Sequence, residues 1–268
     1  MKRLALLTQH EKAVALSPAL ERSGFSLFTV DGFDTDTLGT FTGETQRRGS
    51  QLDAATAKAR KACELTGERY GLGSEGSFGP DPQLGIMPWN IELLVWWDAV
   101  EGRAVQAVVQ GGATNYDQRT ISSWQEAQAF AAQVQFPSHG IIVGQPSDAY
   151  FLKDCTDGLA WQTRVNEALA QGPVWLDTDM RAHRNPSRMA MIARCGERLS
   201  DLLLKRCPQC ARLGFGLESP MAGALCTQCG LPTPVMRAKR ITCGVCDFSL
   251  TETITDTVPP SHCERCNP

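Results

Sequence analysis

No run of apolar residues in this 268-residue chain extends beyond a few positions. No segment therefore offers the roughly 20 apolar residues that a membrane-spanning helix needs. The opening stretch, MKRLALLTQHEK, has two basic residues but an apolar run too short for the core of a signal peptide; it reads as a first strand. Positive charge is not in excess either. Lys and Arg number 26 against 29 Asp and Glu, a net charge of −3, which argues against a strongly basic nucleic-acid binder. A cytoplasmic location, where thiols stay reduced, is expected, so the eleven cysteines read as metal ligands rather than disulfides. What remains is ordinary globular material, 42% hydrophobic and 21% charged, long enough for one sizeable domain and a small one.

The first two hundred residues alternate strand and helix signals. RLALLT is a buried strand, QHEK a polar turn, and a helix then runs to about RSG, with Ser17-Pro18 either its start or a kink. FSLFTV is a second strand. Residues 31–49 are rich in turn formers and form a loop too long to be a mere connection. Ser50 and Asp53 cap a helix through LDAATAKARKACELT that stops at Gly67. RYGLG is the next strand, and the GSEGSFGP after it is a flexible glycine-rich bend around one carboxylate, Glu75. IELLVWWDAV and RAVQAVVQG read as a hairpin turning at Glu101-Gly102. Ser123 with Glu126 starts another helix, HGIIVG and PVWLDT are strands around a helix near Trp161 to Ala170, and Asn185-Pro186 opens a last helix. The pattern predicts an α/β domain with a mixed sheet over residues 1–204.

From residue 205 onward the composition changes. Four CxxC pairs supply Cys207 and Cys210, Cys226 and Cys229, Cys243 and Cys246, Cys263 and Cys266, with intervening gaps of fifteen, thirteen and sixteen residues. Two knuckles facing each other complete a tetrahedron of thiolates about 2.3 Å from a zinc ion. Residues 205–268 thus read as two tandem zinc ribbons with two structural zinc ions, since eight cysteines leave no open coordination position. Sequential pairing closes the shorter loops and is favoured over the interleaved alternative. His262 reads as a surface residue. With zinc and thiolates included the module carries little net charge, and its one basic cluster, RAKR, reads as a solvated hairpin turn. The ribbons' partner, protein or nucleic acid, stays open.

The α/β part offers a second constellation. Glu75, Asp36 and Glu44, with Asp34 nearby, are candidate metal carboxylates. Thr8, His10 and Lys12 stand at the first strand's exit near a helix N-terminus, a natural anion site. Lys58 and Lys61 share one helix face, and DTDMRAHRNPSRM contributes Asp179, Arg181, His183, Arg184 and Arg188. Hard Mg²⁺ takes one or two carboxylates plus substrate oxygens, and Arg and Lys clamp phosphates. His139 reads as structural.

GFDTDTLGTFTGE, SEGSFGP, PWNIELLVWWD, DTDMRAHRNPSRM and the paired knuckles together resemble an uncharacterised bacterial family known only as a domain of unknown function. More distantly, the layout is similar to the inosine/xanthosine triphosphate pyrophosphatase superfamily. That resemblance implies a phosphate-binding lysine after the first strand (Lys12 in TQHEK), an AxxKA-type helix (Lys58 in ATAKA), an acidic turn holding the metal (Glu75) and a nucleotide-reading His-Arg pair (His183 and Arg184). Where that superfamily often has two adjacent acids this chain has one, so Asp34, Asp36 or Glu44 would supply the second. The implied chemistry is Mg²⁺-dependent attack of water on a nucleoside triphosphate with release of pyrophosphate. Two other functions stay open: a nucleotide sensor without turnover, and an interaction scaffold with no small-molecule site. A nucleotide or phosphorylated small molecule is the expected ligand, and no membrane is expected as partner.

Overall fold

The structure is a computed structural model and describes residues 1–8, 10–30, 50–155 and 157–267. It divides into two compact units, Met1–Ser200 and Asp201–Pro268. Among the described residues, no helix is long and apolar enough to cross a membrane.

The first unit is a mixed α/β fold built on two sheets. Strand β1 (Lys2–Leu7) leads into helix α1 (Ala13–Arg22), and strand β2 (Phe25–Val30) returns parallel to β1. Helix α2 (Gln51–Thr66) precedes strand β3 (Tyr70–Pro80), which lies parallel to β1 on its other side. Strands β4 (Pro88–Asp98) and β5 (Arg103–Gly111) follow antiparallel, so the sheet runs β2-β1-β3-β4-β5. The chain thus leaves β1 towards one edge and comes back to its other side. That switch point places the carboxyl end of β1 beside the middle of β3, next to Gly73 and Ser74; in α/β sheets ligands bind at such points.

Helix α2 follows from its sequence. The Ser50 side chain accepts from the Asp53 amide while Asp53 accepts from the Ser50 amide, a reciprocal cap, and Gly67 ends the helix at φ 71°. Its Ala55 and Ala59 face the sheet. Opposite them stand Gly71 and Gly73, where a Cβ would come within 2.0 Å of the Ala59 carbonyl oxygen and 1.8 Å of that of Ala55. These glycines let helix and strand backbones touch. The stretch GSEGSFGP is therefore no flexible bend. It continues β3, paired with β4 residue for residue from Tyr70–Asp98 to Pro80–Pro88. Pro18 lies inside α1 rather than at its start.

The second sheet, ordered β6-β9-β7-β8, combines β6 (Gln118–Ile121), β7 (Ile141–Val143), β8 (Leu152–Cys155) and β9 (Val174–Thr178). Helices α3 (Trp124–Gln133) and α4 (Gly158–Leu169) cover it through Phe130, Trp161 and Val165. Asn185 caps helix α5 (Pro186–Leu204) by accepting from the Arg188 amide at 2.9 Å. The Leu16 side chain of α1 reaches Gly196 of α5, so these two helices pack together.

In the second unit, β10 (Leu217–Ala222), β12 (Met236–Thr242) and β13 (Ser249–Thr253) form an antiparallel sheet, and β11 (Leu225–Cys226) pairs with β14 (Thr257–Val258) in parallel. The basic RAKR stretch is not a turn: residues 237–240 lie within β12, the central strand. Of its charges, Lys239 pairs with Glu252 at 3.2 Å and Glu218 at 3.6 Å, and Arg237 with Asp256 at 3.4 Å.

Candidate functional site

The eight knuckle cysteines gather into two sets, Cys207, Cys210, Cys243 and Cys246, and Cys226, Cys229, Cys263 and Cys266. The first pair joins the third and the second the fourth, so the pairing is interleaved, not sequential. Strand order overrides loop length here. Leu217 of β10 opposes Thr242 of β12, which brings the chain after Cys210 against the chain before Cys243. The parallel β11–β14 pair sets Cys226 beside the strand that leads to Cys263. The two sites thus flank opposite ends of one three-stranded sheet.

Sulfur separations of 3.7 Å (Cys207–Cys246), 3.8 Å (Cys210–Cys243), 3.9 Å (Cys226–Cys266) and 3.6 Å (Cys229–Cys263) recur in both sets. Four sulfurs about 2.3 Å from a common centre stand about 3.8 Å apart in a regular tetrahedron, whereas disulfide sulfurs are near 2 Å. Each set could therefore hold a zinc ion. Amides of Gln228 and Val245 donate to the Cys226 and Cys243 sulfurs at 3.4 Å. The amides of Cys229 and Gln228 bring the Cys226 thiol down to about 7, favouring the thiolate a metal needs. Ala211 and Gly230, each just after a second cysteine, adopt φ 56° and 72°, which lets the knuckle fold back. His262 is exposed and lies outside both sets.

In the first unit the candidates of the N-terminal constellation divide between two faces of the sheet. Side chains alternate along a strand. Residues 71, 73 and 75 of β3 face α2, while 74 and 76 face α5, because a Cβ at Gly76 would meet Arg188 and Glu92. On the α2 face Glu75, only 3% exposed, meets Lys58 at 2.5 Å. On the other face Lys12, 5% exposed, donates from its amine to the Ser74 hydroxyl at 3.1 Å and carbonyl at 3.3 Å. Among the described residues no carboxylate pairs with it. Burial, then Arg188, pushes its ammonium down to about 7, with Glu92 opposing.

Around Lys12 stand further cations. The His10 ring stacks on His183, centroids 5.1 Å apart. Burial, and then Lys12, His183, Arg188 and Arg181, drive His10 down to about 3, so it is neutral at physiological pH. Thr8 accepts from the His10 amide at 3.4 Å. Arg188, wholly buried, donates from Nε to Glu92 at 2.9 Å and from Nη1 to the Met180 carbonyl, and lies 5.2 Å above the Phe78 ring. Arg181 forks onto Asp179, 2.6 Å at the closest. Arg184 contributes its carbonyl to the Gly140 amide. Lys61 pairs instead with Glu64 on the exposed side of α2, at 3.2 Å. His139 bonds Ser138 at 3.0 Å and Ser187 at 2.9 Å. Asp34, Asp36 and Glu44 lie outside the described residues.

Three participants escaped the sequence reading: Ser74, Asn90 and Glu92, all buried. The signal was present in IELLVWW, where Glu92 interrupts an otherwise apolar strand at a position facing inward. The only sets of three or more Cys, His, Asp or Glu able to hold an ion among the described residues are the cysteine ones. Among the described residues Glu75 meets Lys58 and no second carboxylate joins it; the acids expected to do so, Asp34, Asp36 and Glu44, lie outside those residues.

The profile of a family described as a domain of unknown function, DUF6671, matches residues 58–268. No curated protein matches the chain.

Proposed function

The chain belongs to the DUF6671 family, a membership that brings no activity with it, and we propose from the site itself that the α/β domain binds the phosphates of a nucleotide at the carboxyl end of β1, beside Ser74 of β3. The carrying observation is Lys12, a buried amine at the start of α1 whose side-chain hydrogen bonds among the described residues go to the hydroxyl and carbonyl of Ser74. A buried cation without a counter-charge is costly, and an incoming anion relieves the cost. The N-terminus of α1, which has no side-chain cap, adds a favourable dipole. Arg188 adds positive charge on the same face, with the stacked His10 and His183 rings beside it. In the second unit, two zinc ions in the cysteine sets would hold the small module folded.

Calorimetric titration with inorganic tripolyphosphate and a panel of nucleoside triphosphates, with and without Mg²⁺, tests this reading. Binding that weakens about 10- to 100-fold in Lys12→Ala, with unchanged circular dichroism, supports it. Absence of binding by every polyphosphate ends it. Release of pyrophosphate in the same samples would add hydrolysis, the finer function that the superfamily resemblance implies. The Lys58–Glu75 pair favours the second reading, a sensor that binds without turnover, because Glu75 would have to leave Lys58 to meet a metal.

A further inference from the structure

Past the phosphate site, the face that carries Lys12 holds three polar atoms that have no hydrogen-bond partner among the described residues: Oδ1 and Nδ2 of Asn90, and Oε2 of Glu92. Asn90 is 0% exposed and Glu92 1%. Buried carboxamides and carboxylates rarely go unsatisfied, and each such atom requires a reason. Both residues lie on β4 two positions apart, hence on one face. Opposite Asn90 on β5 stands Gly111, whereas the space over Gly76, opposite Glu92 on β3, is filled by Arg188 and the Glu92 carboxylate itself. A Cβ built on Gly111 would meet nothing within 4 Å, so open space adjoins the Asn90 side chain. On its other flank Phe78 opposes Asn90 and sits 6.0 Å from the Tyr116 ring.

We infer that Asn90 reads the base of the nucleotide, and that the base carries an exocyclic amine beside a ring-nitrogen acceptor, as adenine and cytosine do. The inference rests on phosphate binding at Lys12. Of the Asn90 atoms, Oδ1 accepts and Nδ2 donates. An amino group supplies an N–H for Asn90 Oδ1, while the adjacent ring nitrogen accepts from Asn90 Nδ2. This is the bidentate pairing by which Asn recognises adenine. The Asn terminal torsion is broad, so its carboxamide can turn towards the space over Gly111. Spacing also agrees. Ser74, which holds Lys12, opposes Leu94, four residues along β4 from Asn90. That is about 13 Å of strand, the reach of a nucleoside bearing a phosphate chain, and Arg188 lies between the two ends.

Affinities of ATP, CTP, ITP, UTP and tripolyphosphate for the full chain and for Asn90→Leu and Asn90→Asp decide the matter. ATP or CTP should bind at least ~10-fold tighter than ITP, UTP and tripolyphosphate. ATP and ITP differ only at the amine and the ring nitrogen beside it, an acceptor in adenine and an N–H donor in hypoxanthine. Asn90→Leu should erase that preference and leave tripolyphosphate affinity within about twofold, while melting no lower than the parent, since it removes an unsatisfied amide. Asn90→Asp, which loses the donor, should lose the preference as well. Tripolyphosphate binding without any base preference overturns the base site and leaves the phosphate site standing. A preference that survives both variants overturns it too. So does a large fall in melting temperature in Asn90→Leu without loss of preference, because the amide is then serving the fold. No binding of any polyphosphate removes both proposals together.

Discussion

Lys12 couples proton and ligand. Its folded-state pKa is about 7, lowered from 10.5 first by burial and then by Arg188. Between about 7 and 10.5 the unfolded chain holds a proton on this amine that the folded chain has released, so its contribution to stability rises with pH across that window. A bound phosphate favours the charged amine and raises its pKa again. Binding of tripolyphosphate at pH 8 should therefore take up protons, and affinity should fall as pH climbs from 7 towards 10. Calorimetry in buffers of differing ionisation enthalpy measures the uptake, and Lys12→Met should abolish it. The same variant should gain about 1–3 kcal/mol of stability at pH 6, where the buried charge is present, and less at pH 10. His10 has the same sign in a lower pH window. Held down to about 3, it stays neutral while the unfolded imidazole protonates below 6.5. Its contribution is full above that pH and is lost as pH falls towards 3.

Strand β3 shows how far local signals reach. The caps of α2, Ser50 with Asp53 and then Gly67, were legible because capping is chemistry within four residues. The β4–β5 hairpin was legible from its turn and apolar runs. The glycines of GLGSEGSFGP carry the same letters whether they bend a chain or admit a helix, and only the helix backbone above them decides. For the same reason Glu75 looked open from the sequence and is in fact closed by Lys58, while Ser74 and Glu92 went unread. Two substitutions on this one strand separate the meanings. Gly73→Ala places a Cβ 1.8 Å from the Ala55 carbonyl oxygen, so α2 must lift; a loss of about 3 kcal/mol or failure to fold is expected. Gly79→Ala meets nothing within 4 Å and should change stability by less than about 0.5 kcal/mol. Urea denaturation followed by circular dichroism reads both.

At the scale of the whole chain, interleaved cysteines change what a truncation does. Had neighbouring pairs shared a metal, the module would be two independent clips, and losing the last would leave its upstream partner alone to suffer. With the first pair joined to the third and the second to the fourth, each site closes a loop of about 40 residues that contains half of the other site. Loops of that length restrict the unfolded chain strongly, and the two sites brace one sheet from its ends. Deleting residues 263–268 removes Cys263 and Cys266 and should halve the zinc measured per chain from two to one. The freed thiols then report the pairing. Cys226 and Cys229 should become open to alkylation, while Cys207, Cys210, Cys243 and Cys246 stay protected until a chelator is added. Mass-spectrometric mapping of the alkylated peptides distinguishes this from sequential pairing, in which Cys243 and Cys246 would react and Cys226 and Cys229 would not.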